Sequence, residues 1–164
     1  MLSVNGFNVN ITIFPDKSSQ VWKLPDELVL AITNGEAGQI VNIKWKFEGD
    51  HEVFQLLQLV DLLREIAPDE IHFNLDVPYM PYARQDKRIS NKTCFALHTF
   101  SMILMQFNEV TTFDLHNPKS LEDLDFVKNI PPTEIVQKIV DKHKVDCIIL
   151  PDKTAGERYG SLTK

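Results

Sequence analysis

The sequence predicts an α/β fold, a mostly parallel doubly wound sheet preceded by a short β-rich N-terminal segment. Three observations carry this. From residue 39 onward, segments of strand and helix periodicity alternate; before residue 39 only short strand-like segments occur; and no internal repeat or low-complexity linker interrupts the chain.

Taken in order, Phe7, Val9, Ile11 and Ile13 alternate with Asn8, Asn10 and Thr12, the period of a strand with one buried face. Val21 to Leu24 and Glu27 to Thr33 read as further short strands, and Asn34-Gly35 as a turn. Gln39 to Phe47 is the first strand of the alternating part. Asp50 is placed to cap a helix with Val53, Leu56, Leu57, Val60 and Leu63 on one stripe, ended by Pro68. Ile71 to Val77 is a strand. Ser90 is placed to cap a helix running to about Asn108, with Phe95, Thr99, Met102 and Gln106 on one side and Leu97, Ile103 and Leu104 widening its apolar surface. Val110 to Leu115 is the next strand. Thr133 is placed to cap a helix with Ile135, Val136, Ile139 and Val140 inward, and Asp146 to Leu150 reads as a final strand. The chain ends at SLTK, where a doubly wound fold would start another helix, which reads as a truncation.

With 164 residues and 43% hydrophobic content, the chain suits one compact domain spanning 1–164 that needs neither disulfides nor a structural metal. Cys94 and Cys147, far apart and without CxxC spacing, are expected to be small core residues of a reduced protein. A net charge of -6 argues against general nucleic-acid affinity. The N-terminus lacks a signal-peptide pattern and no apolar run approaches a membrane span, so a soluble cytoplasmic protein without membrane partners is expected.

In open α/β sheets ligands bind beyond the carboxyl ends of the strands. Three such ends carry polar chemistry: the loop from Pro78 to Arg88, with Arg84, Gln85, Lys87 and Arg88; His116; and Asp152 after Pro151. Arginine offers a planar fork of donors to phosphate oxygens, and glutamine serves a base edge or a phosphate. Each has an ordinary alternative: a solvated loop, a histidine bonded to nearby backbone, and a cap on the next turn. Their shared placement favours a site. No histidine spacing fits zinc, whereas magnesium accepts one carboxylate with waters and nucleotide phosphates. GxxxxGK[ST], GxGxxG and GxSxG are absent.

The string Pro81-Tyr82-Ala83-Arg84-Gln85-Asp86-Lys87 resembles the PYARQDK-type segment of ribose-phosphate diphosphokinases. Thr112 to His116 resembles that family's DLH strand end, and Ile149-Leu150-Pro151-Asp152 with Gly156-Glu157-Arg158 is similar to its SPD...G..R segment. Phe14-Pro15-Asp16-Lys17-Ser18 is similar to its FPDGE segment, with Lys for Gly and Ser for Glu; a competing register sets Asn34-Gly35-Glu36 on the same motif. The resemblance covers nearly the whole chain. It implies a phosphoribosyltransferase-like N-terminal domain holding magnesium ATP, whose β,γ-diphosphoryl group passes to the 1-hydroxyl of ribose 5-phosphate. It implies ATP contacts at Arg84 and Gln85, magnesium positions at His116 and Asp152, and an adenine site at Phe14, Asp16 and Ser18 serving a neighbouring subunit of a homo-oligomer. The catalytic loop and the ribose-phosphate-binding domain of the family have no counterpart here, so no catalytic residue is assigned in this chain. An alternative is a non-catalytic regulatory homologue that assembles with true synthetases, suggested by Lys17 and Ser18. A phosphoribosyltransferase ranks last, for want of an acidic pair followed by a Thr/Gly-rich loop.

Overall fold

The computed structural model describes residues 1–35, 40–145, 147–150 and 153–162, leaving aside the side chains of 154, 157, 158 and 161. The chain divides into two compact units, Met1–Asn129 and Ile130–Lys164.

In the first unit Asn5 and Gly6, both with positive φ, turn β1 (Leu2–Val4) back onto β2 (Phe7–Asn8) as an antiparallel pair. An Asn-Gly step suits this because both turn residues must reach left-handed φ. The predicted strand of Phe7 to Ile13 is therefore divided. Past the buried Val9, β3 (Asn10–Ile13) leaves the main sheet to form a separate hairpin with β4 (Ser19–Lys23).

Residues 27–33 correct the sequence expectation of a strand: they lie in α1 (Asp26–Thr33). Leu28, Leu30 and Ile32 alternate, but only Leu28 and Ile32, one helical turn apart, are fully buried, while Leu30 is exposed. Asp26 and Glu27 occupy the first turn, where acidic groups favour a helix, and Gly35 at φ +71° follows its end.

The main sheet has the order β2-β1-β5-β6-β7-β8, adding β5 (Ile40–Trp45), β6 (His72–Asp76), β7 (Glu109–Phe113) and β8 (Val127–Ile130). Its centre, β5-β6-β7, is parallel, and β1 joins β5 antiparallel. Val41, Ile43 and Trp45 are buried at alternate positions of β5, matched by Phe73 and Leu75 on β6 and Val110 and Thr112 on β7. This apolar face carries the core, and the alternate positions Asn42, Lys44, Asn74 and Asp76 make the other face polar. The parallel centre with helices between its strands is the α/β arrangement expected from the sequence.

Between β5 and β6 runs α2 (His51–Ile66), burying Leu56, Leu59, Val60 and Leu63. It stops because Ala67, preceding Pro68, is pushed into the extended region. The next helix, α3 (Ala96–Leu104), starts later than expected. Ser90 caps only a local turn, accepting from Lys92 N–H at 3.2 Å, whereas the Leu97 N–H of α3 reaches the Gln85 carbonyl at 3.3 Å. Leu97, Phe100 and Leu104 form its buried stripe; Thr99 and Met102, expected inward, are exposed.

The second unit contains α4 (Thr133–His143) and α5 (Lys153–Tyr159), followed by a 3-10 turn. Thr133 is the first helical residue and does not cap: Pro132 precedes it, and the backbone bond runs from Val136 N–H to the Pro132 carbonyl. Ile135 and Ile139, expected inward, are exposed. No strand forms at 147–150, and Asp146 lies outside the described residues. Cys94 and Cys147 are exposed free thiols and not core residues: Cys94 falls in the loop before α3, and Cys147 in a segment without regular structure. Among the described residues no helix is long and apolar enough to cross a membrane.

Candidate functional site

Because β5, β6 and β7 are parallel, the loops leaving their carboxyl ends share one edge of the sheet. The ladder continues just past β6, where Val77 N–H donates to Thr111 O at 2.9 Å and Phe113 N–H donates to Pro78 O at 3.1 Å. The Arg84 loop and the His116 loop thus leave from adjoining points.

The loop after β6 is held from within and below. Met80, Pro81 and Ala83 are buried, and two tight turns close through Ala83 N–H to Met80 O at 3.3 Å and Gln85 N–H to Tyr82 O at 2.8 Å. Tyr82 sits at φ +60°, a sparsely populated conformation for a bulky side chain. Ring packing holds it there, 5.3 Å from Phe100 and 6.1 Å from Phe47, centroid to centroid, and its hydroxyl donates to Asp50 Oδ1 at 2.8 Å. Burial, with Asp50 reinforcing it, pushes the Tyr82 phenol up to about 12. Asp50, expected to cap α2, makes no capping bond with its side chain and serves this contact instead.

Arg84, Gln85, Lys87 and Arg88 are exposed on the outer side of that loop. None of the three cations takes part in an ion pair among the described residues. Asp86, lying between them, turns away and accepts from Asn117 Nδ2 at 2.8 Å. His116, exposed, is the neighbour of Asn117 and follows Asp114 at φ +52°. Two side-chain bonds therefore lace three strand-end loops, Tyr82 to Asp50 and Asn117 to Asp86. The sequence-predicted Arg84, Gln85 and His116 come to one edge. Asp152 lies outside the described residues, as does Glu36 of the competing register. No group of three or more His, Cys, Asp or Glu suited to a metal occurs among the described residues.

The sequence suggests that prolines and tyrosines hold the Arg84 loop; the partners, Asp50 for Tyr82 and Asp86 for Asn117, come only from the structure. Asn117 had a local signal in the Asn-Pro step, a turn former. The positive φ of Tyr82 and its bond to Asp50 had none, because both follow from packing.

The chain is similar to known proteins in sequence and in fold. The chain is 30% identical to a ribose-phosphate pyrophosphokinase of Pyrococcus furiosus over 155 residues, covering 92% of this chain and 54% of that protein. This chain is a relative of the ribose-phosphate pyrophosphokinases. The Pyrococcus abyssi pyrophosphokinase is 29% identical over 157 residues, 94% of this chain and 51% of its own length, and that of Saccharolobus solfataricus is 26% identical over 172 residues, 100% and 55%. The chain spans about half the length of the curated relatives it matches. The crystal structure of phosphoribosylpyrophosphate synthetase from Mycobacterium smegmatis superposes with a TM-score of 0.60 at 17% identity, over 73% of this chain and 43% of that one, a likeness of fold. No protein-family model matches.

For a pyrophosphokinase relative, the position of Phe14, Asp16 and Ser18 is informative. They form the turn of the β3-β4 hairpin, closed by Phe14 N–H to Ser18 O at 2.8 Å with Lys17 at φ +72°. The Asp16 carboxylate accepts from Ser18 Oγ at 2.7 Å and Ser18 N–H at 3.0 Å, and these bonds hold it below the usual carboxylate range. Phe14 and Ser18 line a groove of about 440 Å³ against Gln58, Asp61, Leu62 and Glu65. Those α2 residues lie eight to fifteen positions beyond Asp50, roughly 12 to 22 Å along the helix at about 1.5 Å per residue. Within one chain the hairpin group and the Arg84 group are separate.

Proposed function

We propose that this chain is the ATP-holding half of a ribose-phosphate diphosphokinase, an enzyme transferring diphosphate from ATP to ribose 5-phosphate. The observation carrying the reading is the laced sheet edge, where Asp86 turns to Asn117 and leaves Arg84, Lys87 and Arg88 outside any ion pair among the described residues. Exposed cations on a strained, packed loop suit a polyphosphate. Magnesium arrives with the nucleotide, needing few protein ligands because phosphate oxygens and water complete its shell. His116, with Asp152, is assigned to its side of the complex.

Catalysis of this kind rests on positioning and charge neutralisation of the transferred group. The roles assigned here concern nucleotide and metal, and none concerns the acceptor sugar, so the 164 residues alone are not expected to form phosphoribosyl diphosphate. Phe14, Asp16 and Ser18 are assigned to the base of a nucleotide held by another copy in a homo-oligomer, in the cytoplasm.

The regulatory alternative draws on the same hairpin: the Asp16 carboxylate is engaged by Ser18, where the family motif has glutamate. Calorimetric titration with magnesium ATP tests the main reading. A charge-assisted contact contributes about 1.5 to 3 kcal/mol, so Arg84→Ala should weaken binding roughly ten to a hundredfold at unchanged melting temperature. Equal affinity of the two proteins would reduce the loop to a solvated turn.

A further inference from the structure

The Asn117 side chain spans two loops, and its orientation is fixed by what it meets. Its Oδ1 accepts from Lys119 N–H at 3.2 Å, so the amide edge left over is Nδ2, which donates to Asp86 Oδ2 at 2.8 Å. The turn behind it is closed further by Ser120 Oγ donating to Asn117 O at 2.6 Å. Asp86 follows Gln85 directly, as Asn117 follows His116. The bond therefore joins the cationic loop to the histidine loop through two side chains, each one residue from an assigned ligand contact.

We infer that Asn117 and Asp86 are a pair of positioning residues that set the distance between the Arg84-Gln85 loop and His116, and so the span available to a metal polyphosphate held by both. This rests on the nucleotide reading above and adds to it two residues that touch neither phosphate nor metal.

A ligand that engages both loops should feel the loss of this bond, and one that engages only the cationic loop should not. The informative substitution is Asn117→Ser, because serine keeps an oxygen to accept from Lys119 N–H yet is too short to reach Asp86. With the full 164-residue chain, magnesium ATP and metal-free pyrophosphate are each titrated into wild type, Asn117→Ser, Asp86→Ala, the double variant and Arg84→Ala. Asn117→Ser should weaken magnesium ATP about five to twentyfold, and the double variant should bind no worse than the weaker single variant, as expected of groups acting as a unit. Pyrophosphate affinity should stay within about twofold in Asn117→Ser, a selectivity that general loosening of the fold would not give. Losses that multiply in the double variant, or an equal loss for both ligands, overturn the pairing. If Arg84→Ala weakens magnesium ATP while Asn117→Ser does not, the positioning role fails and the nucleotide site stands; if Arg84→Ala changes nothing, both fail.

Discussion

Glu52 shows how a single side chain ties the start of the chain to the core. Its carboxylate accepts from the N-terminal ammonium at 2.8 Å, Glu48 N–H at 2.8 Å and the Trp45 indole N–H at 3.1 Å. Burial alone would raise its pKa, but these three donors and the ammonium charge outweigh that and hold it below the ordinary glutamate value. A lowered folded-state value means a contribution that is full above the unfolded-state pKa and lost as pH falls through the folded one. Glu52→Gln should therefore cost about 1 to 3 kcal/mol at neutral pH, since an amide turns donors toward donors. Urea unfolding should also show the variant losing less stability than wild type between about pH 5 and pH 3. Parallel pH profiles would mean that the carboxylate charge is not what the three donors stabilise. Little of this was legible beforehand. Glu52 sits on a helix whose sequence shows the apolar stripe at Leu56, Val60 and Leu63, and a buried glutamate within it becomes visible only when Trp45 of β5 and the N-terminal Met1 meet it.

Between elements, the same helix fixes the hairpin. Gln58 Oε1 accepts from Val21 N–H at 2.8 Å, Gln58 Nε2 donates to Ser19 O at 2.9 Å, and Gln55 Nε2 donates to Ser19 Oγ at 3.0 Å. These glutamines hold β4 to α2 beside the buried Val21, and so orient the Phe14 turn. Gln58→Ala removes two part-buried bonds, each worth about 1 kcal/mol. Hydrogen exchange should show the Val21 amide losing protection while amides of β5 and β6 keep theirs; an unchanged Val21 amide would mean that apolar contact alone seats the hairpin. Strand-end loops were legible at this scale because alternating periodicity marks where a parallel strand stops, and Val110 to Leu115 led directly to His116. Residues 27–33 were not, since Leu28, Leu30 and Ile32 satisfy both periods and the decision lies in Asp26, Glu27 and Gly35. Ser90 misled for a related reason: its bonds close a turn of their own, and the cap of α3 comes from the carbonyl of Gln85, distant in sequence.

At the scale of the whole molecule, the separation of the hairpin from the laced edge decides what a complete site requires. The Phe14 groove faces the second half of α2, whereas Tyr82 ties the Arg84 loop to Asp50 at its start. If phosphate and base are held by the two groups as assigned, the proposed site draws its base contact from Phe14 of another copy. The sequence motifs could suggest both groups but not this distance, because it is set by which turn of α2 each element packs against. A composite site between copies then makes a specific demand. Phe14→Ala and Arg84→Ala proteins should each bind magnesium ATP poorly, the first through loss of the base contact and the second through loss of the phosphate contact. Mixed in equal amounts and allowed to exchange subunits, they should recover intact sites to about a quarter of the wild-type number, since each site draws its two halves independently. Calorimetry reads that number as recovered stoichiometry at wild-type affinity. If mixing recovers nothing while sedimentation shows that mixed oligomers have formed, Phe14 and Arg84 do not serve one nucleotide across an interface. If Phe14→Ala alone binds as tightly as wild type, the hairpin lies outside the site and its groove takes no part in holding ATP.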